Sequence, residues 1–334
     1  MNALQMAMKK NAGAFPPYEL LDSDELLGGA MRLAQEKTRR LERLYHHTLE
    51  HGWNGREVLD GLIKKHGGIH IPHDKRGPVG RVFSIILWGE LAAWNIAADL
   101  AACLPDVDAK MAASGQAFDE ARHFTVLREY LVRSGVEVPP LHPLGRRVLV
   151  RLLETDSPIE KLSGMQLLVE NLALAIFKRV AAAGIDPVLT DLLAYIERDE
   201  SRHVGLGVMY LPKLLGHASA IDRARLFGFT LELTALSIGQ GRRFDADFRA
   251  LGIDHRELAI QTARLQDHMR RQMLEHAGMG PRARIRGLYT LSAKQHLKLI
   301  DFLHPETPAD ITPRHRAALA ALDVAVRAAE RVLS

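Results

Sequence analysis

The chain has 334 residues, 47% of them hydrophobic and 6% aromatic, with a formal net charge of +4, so it can bury one enlarged core or a domain with an appendage. Its single cysteine, Cys103, excludes an intramolecular disulfide and a cysteine-ligated electron-transfer centre. No uninterrupted apolar run reaches the roughly 18 residues of a membrane span, and the start MNALQMAMKKNAGAFPPYELL lacks a signal core and cleavage site; a cytoplasmic protein without membrane contact is expected.

Abundant Ala, Leu, Arg and Glu favour helix, and the predicted fold is all-α. Pro16-Pro17 breaks the first 23 residues, after which Ser23 or Asp24 caps a helix from about 24 to 51. A short helix from Gly55 to Lys65 follows. The stretch GGIHIPHDKRGPVG reads as a loop that solvates His70 and His73. Four longer helices are predicted at 79–104, 106–134, 158–183 and 186–215, with LPDVD and GIDPV as the turns within each pair. Between the pairs, SGVEVPPLHPLGRR supplies a crossover, with a short helix at 146–155. Amphipathic helices follow at 219–249, 254–277, 282–303 and 312–333. The chain thus divides into an N-terminal helical extension (1–78), a four-helix bundle (79–215) and C-terminal helices packed on the bundle (216–334).

The bundle segment contains one arrangement twice. Glu90 lies in the apolar run WGELAAWNIAADLAA and is followed by Asp119-Glu120-Ala121-Arg122-His123; Glu170 lies in LLVENLALAIFKRVAAA and is followed by Asp199-Glu200-Ser201-Arg202-His203. At an offset of 80 residues the copies also match at Ala93/Ala173, Ile96/Ile176, Ala101/Ala181, Ala102/Ala182 and Asp106/Asp186. A chance motif would not carry its surroundings along, so the segment reads as a duplicated helix pair. Residues three apart on a helix stack one turn above each other, so Glu120 and His123 point the same way, as do Glu200 and His203. Each pair offers a carboxylate oxygen and an imidazole nitrogen to one metal ion. A lone E-x-x-H is usually a solvated face. Two copies, each preceded by a Glu that is costly to bury unpaired, reverse that reading.

Four Glu and two His in this order resemble the ferritin-like di-iron carboxylate superfamily, in which two helices give one Glu each and two give Glu-x-x-His. The resemblance implies two iron ions, with Mn/Fe or Mn/Mn as further possibilities, held by Glu90, Glu120, His123, Glu170, Glu200 and His203, with dioxygen as co-substrate and an external electron donor. It also implies that Asp119 orients His203 and Asp199 orients His123, with Arg122 and Arg202 balancing their charge. Glu197, one turn before Glu200, is either an additional ligand, a nearby acid or an exposed residue.

Signature residues of the superfamily's branches are missing. Leu127 stands where the ribonucleotide reductase small subunit carries its radical tyrosine. Ala93 and Met165 stand where ligand-binding oxidases form a Val–Tyr cross-link. Leu174 replaces the Thr of multicomponent hydroxylases, and Ile196 replaces the extra His of arylamine N-oxygenases. The helices beyond the bundle are better explained by an organic substrate than by a storage cage, and Leu91, Trp94, Phe124, Leu174, Phe177 and Val204, beside or one turn from the ligands, are apolar candidates for its pocket. The expected function is therefore a di-iron oxidase or oxygenase that hydroxylates, desaturates or N-oxygenates a mainly apolar substrate. The alternatives are a ferroxidase and a tRNA-modifying hydroxylase. Arginines crowded between 222 and 286 read as solvated faces or as a site for an acidic carrier protein, and the missing aromatic interleaving argues against nucleic acid. A homodimer is expected.

Overall fold

The computed structural model describes residues 38–280, 285–288, 293–307 and 311–333. The expected cap at Ser23 or Asp24, the first half of the helix predicted from 24, and Arg282 and Arg284 lie outside them. Two helices, α1 (Thr38–Glu50) and α2 (Gly55–His66), precede the duplicated segment, and Asn54 caps α2 by accepting from the backbone N–H groups of Arg56 and Glu57. The first pair is α3 (His73–Cys103) and α4 (Val107–Ser134). After α5 (Pro143–Glu154) and the short α6 (Pro158–Gly164) comes the second pair, α7 (Glu170–Ala183) and α8 (Pro187–His217). Outside the bundle lie α9 (Ala220–Ala250), α10 (His255–His276), α11 (Ala293–Leu303) and α12 (Pro313–Leu333). The architecture is all-α.

Three elements differ from expectation. The stretch around Pro72 to Gly80 is helical from His73, because its glycine serves close packing rather than a turn: a Cβ on Gly80 would come within 2.1 Å of the Glu137 carbonyl oxygen. The helix predicted over 158–183 is interrupted by a π-helical segment, Met165–Val169, just before Glu170. Residues 285–288 are not helical, so the helix expected from 282 begins only at Ala293 among the described residues.

The duplication governs the packing. Asp186 caps α8 through the Leu189 N–H at 2.9 Å and also accepts from the Tyr130 hydroxyl of α4 at 3.0 Å. In the other copy Asp106 accepts from the Tyr210 hydroxyl of α8 and from Lys213 at 2.7 Å. The two tyrosines are themselves 80 residues apart, so each copy fastens the start of its second helix to the other copy. Two apolar clusters flank the centre. One gathers Phe83, Leu127, Phe177 and Ile196, the other Leu100, Leu152, Leu162 and Leu211. The apolar α3 is long enough to cross a membrane by length and composition, but its apolarity is also used by these clusters, and it carries the buried Glu90. Gly207 lets α8 close on the π segment, where a Cβ would meet Gln166 at 2.7 Å.

Candidate metal centre

Glu90 on α3, Glu120 and His123 on α4, Glu170 at the start of α7, and Glu200 and His203 on α8 converge in the middle of the bundle, all buried. They form two overlapping groups. Glu90, Glu120, His123 and Glu200 make one; Glu120, Glu170, Glu200 and His203 make the other, with ligand atoms within 4.8 Å of one another in each. Glu120 and Glu200 are common to both, so they stand between two positions while Glu90 and Glu170 lie at the outer ends. The copies are exchanged by the same 80-residue offset that relates their sequences.

Each imidazole is aimed by an acid from the opposite copy. His123 Nε2 donates to Asp199 Oδ2 at 3.1 Å and His203 Nε2 to Asp119 Oδ2 at 3.2 Å, which leaves both Nδ1 atoms facing inward. His203 Nδ1 is 2.8 Å from both Glu120 Oε1 and Glu200 Oε2. His123 Nδ1 is 3.0 Å from Glu200 Oε1, yet neither of these atoms, nor Glu120 Oε2, makes an aligned hydrogen bond. Unsatisfied polar atoms this deep are costly, and crowding of carboxylate oxygens and imidazole nitrogens at about 3 Å is what ligands of one cation adopt. The donor set fits two divalent first-row metal ions.

Around the ligands, Arg122 donates to both Asp119 and Asp199 (2.5 and 2.8 Å), and Arg202 donates to both as well (2.9 and 2.7 Å). Four groups that spacing alone would leave as helix-end ions thus form one buried lattice across the duplication axis. Burial opposes ionisation of the two acids but is outweighed by their histidine partners, and both are held below the usual carboxylate range. Burial raises Glu90 and Glu170 well above it, with repulsion from Glu200 and Glu120 adding to the effect. Burial disfavours charge on the imidazoles too, but hydrogen bonds to Asp199 and Glu120 raise His123, and the charges of Glu120 and Glu200 raise His203. Without cations, the cluster retains protons to limit its negative charge.

Several residues at the centre escaped sequence reasoning. Trp53 Nε1 donates to Asp199 Oδ2 at 2.7 Å, and its ring stacks beside His123 with centroids 6.3 Å apart. The buried Gln116 donates to Glu120 at 3.2 Å and Glu170 at 3.0 Å, and accepts from Gln166 at 3.0 Å. Neither Trp53, Gln116 nor Gln166 has a counterpart in the other copy, so the repeat could not expose them. Tyr130 and Tyr210 were missed as well, although their match at the 80-residue offset is a signal that could have found them.

Glu197 lies outside the ligand groups. It forms an ion pair with Lys178 at 3.2 Å and is partly exposed, because its helix face turns toward α7's flank rather than the centre. None of the six apolar pocket candidates lines either apolar cavity described below. Leu174 and Phe177 are buried core residues, Leu91, Phe124 and Val204 are half-buried, and Trp94 is 40% exposed. Nearness to a ligand along a helix places a residue in the bundle packing as readily as in a pocket. Many of the arginines are committed to acids within the chain, namely Arg242 with Asp323, Arg243 with Glu330, Arg256 with Asp301 and Arg270 with Asp267.

No protein-family model and no curated protein matches the sequence. Among solved structures, the chain is similar to a protein with aldehyde deformylating oxidase activity from Synechococcus (21% identity, TM-score 0.52, covering 69% of this chain and 97% of that one). It is also similar to an R2-like ligand-binding oxidase with an aerobically reconstituted Mn/Fe cofactor (18% identity, TM-score 0.51, covering 78% and 98%). The fold is that of the ferritin-like helical bundles. Within it, the four carboxylates and two histidines have the arrangement of a dinuclear carboxylate centre.

Proposed function

We propose that the protein is a dinuclear iron or manganese–iron oxidase that uses dioxygen to oxidise a mainly apolar organic substrate. The observation that carries this reading is the pair of buried ligand groups sharing Glu120 and Glu200. The similar ligand-binding oxidase carries Mn/Fe and, as a mutant, Fe/Fe, and the similar Synechococcus protein has aldehyde deformylating oxidase activity. Both support the reading. When bound, the metal pair would supply reversible one-electron steps and activation of dioxygen.

The chain's own residues prepare the site for that chemistry. Asp119 and Asp199 fix the tautomers of His203 and His123, and Arg122 and Arg202 hold the two acids in place by bridging them. Gln116 holds Glu120 and Glu170 in register. The apolar clusters on either side keep water from the carboxylates.

Substrate space lies across the π segment. An apolar cavity of about 190 Å³ is lined by Leu168, Leu172 and Ile176 and by residues of α9, α10 and α11. A smaller one of about 90 Å³ shares Leu168, Thr234, Gln266 and His296 with it. Leu168 and Leu172 lie two residues either side of Glu170, so the π segment and the start of α7 form the partition between cavity and metal centre. π-helical turns are frequent at functional sites because their looser hydrogen bonding lets side chains shift. The cavity's lining favours an aliphatic substrate over a nucleic acid.

The test measures dioxygen consumption by metal-loaded, reduced protein with and without aliphatic aldehydes, alcohols and carboxylates of graded chain length. The reading expects one class to accelerate consumption and yield an oxidised product. Ile176→Trp, which fills the cavity, should cut that acceleration at least tenfold while metal content stays unchanged. Repeated oxidation of ferrous iron itself, indifferent to every organic compound and to Ile176→Trp, would instead identify a ferroxidase.

A further inference from the structure

Far from the bundle centre, three side chains from three separate segments face one another. Asp245 lies on α9, His255 is the first residue of α10, and His304 follows the last residue of α11. His255 Nδ1 is 3.1 Å from Asp245 Oδ1, the two imidazole rings lie 4.2 Å apart between centroids, and one ligand atom from each residue falls within 4.8 Å of the others. We propose that this cluster is a separate mononuclear site for a divalent cation of the zinc class.

The residues around the cluster are arranged as a metal site requires. Arg249 holds Asp245 Oδ2 at 2.5 Å, which turns Oδ1 toward His255. Arg256 donates to the His304 carbonyl oxygen at 2.6 Å and to Asp301 at 2.8 Å, fixing the backbone that carries the second imidazole. Both of these guanidiniums are thereby occupied with acids or carbonyls, and a third, Arg242, whose charge also reaches His304, is paired with Asp323 at 2.8 Å. The His304 ring makes no hydrogen bond among the described residues. Two neutral imidazoles and one carboxylate carry a single negative charge, the donor set that zinc, cobalt and ferrous iron accept. Ligand atoms on one such ion lie about 3 Å apart when each is about 2 Å from the metal, so the observed spacing needs only side-chain adjustment.

The cluster is also accessible. A polar surface cleft lined by Asp245, Asp254, His255, Arg256 and His304 opens beside it, giving an ion a path in and leaving room for water as a further ligand. The same two histidines also line the 190 Å³ apolar cavity. A cation there would pin the end of α11 to the α9–α10 turn at the cavity's outer mouth. That role is independent of the dinuclear centre.

The test is a metal count on the full-length protein after equilibrium dialysis against cobalt(II), used as a visible spectroscopic stand-in for zinc. The wild type is expected to hold one more cobalt per chain than His304→Ala or Asp245→Asn, with circular dichroism showing that both variants are folded. A chain disabled at the bundle centre, Glu120→Ala with His203→Ala, is expected to keep a single cobalt, which His304→Ala added to it removes. Equal cobalt content in wild type, His304→Ala and Asp245→Asn would overturn the proposal, as would no cobalt in the folded bundle-centre variant. Because the comparison is a difference of one ion tied to His304, it stands or falls separately from the dinuclear reading.

Discussion

Each histidine of the centre depends on an acid it does not share a helix with, and that dependence is measurable. Asp199 receives His123, Trp53, Arg122 and Arg202. Replacing it with Asn keeps the shape but removes the charge that orients His123, so Asp199→Asn should weaken metal binding by about 10- to 100-fold without unfolding the protein; titration with ferrous or manganous ion would show it, and unchanged affinity would remove Asp199 from the account. Protonation gives a second expectation. Burial raises Glu90 and Glu170 well above the usual range, which favours their protonated forms, and metal binding must displace those protons. Binding heat should therefore vary with the ionisation enthalpy of the buffer in the sense of proton release, and affinity should fall as pH is lowered. Heats that do not change between buffers would mean that the carboxylates are already ionised.

The helices owe their arrangement to the duplication, and the sequence showed this wherever both copies keep the same residue. The ligands were legible because Glu and D-E-x-R-H recur at a constant offset in surroundings that recur with them. The extent of α3 was obscured because Gly80 and Pro78 suggest a loop, whereas the close approach of Glu137 demands a glycine inside a helix. The π segment was not legible: MQLLV has the same periodicity whether it is wound in an α or a π turn, and the close approach of Gln166 to Gly207 that accompanies it is a contact between distant segments. The tyrosine–aspartate ties between copies offer a test at this scale. Tyr130→Phe leaves the fully buried Asp186 without one of its donors and should cost about 1–3 kcal/mol of stability. Tyr210→Phe should cost less, since the more exposed Asp106 keeps Lys213. Denaturant unfolding of both variants would check this, and the reverse order would contradict the assigned roles.

Across the whole molecule, the proposed metal pair belongs to the bundle and the proposed substrate space to the C-terminal helices beside it. Sequence reasoning looked for the pocket on the ligand helices' inner stripe, where Leu174 and Phe177 are buried core residues. The 190 Å³ apolar cavity forms where α9, α10 and α11 meet α7, a contact between segments far apart in the chain that no local pattern encodes. The central claim is that six residues hold two redox-active metal ions that react with dioxygen. Its most direct test is anaerobic loading with ferrous iron, with bound metal counted in wild type, Glu120→Ala and His203→Ala, followed by rapid mixing with dioxygen under a visible spectrophotometer. The account predicts two irons in the bundle of the wild type, a transient visible absorption on mixing, and loss of both in the two variants. A bundle that takes up no iron, or holds two irons that leave dioxygen untouched, would contradict it.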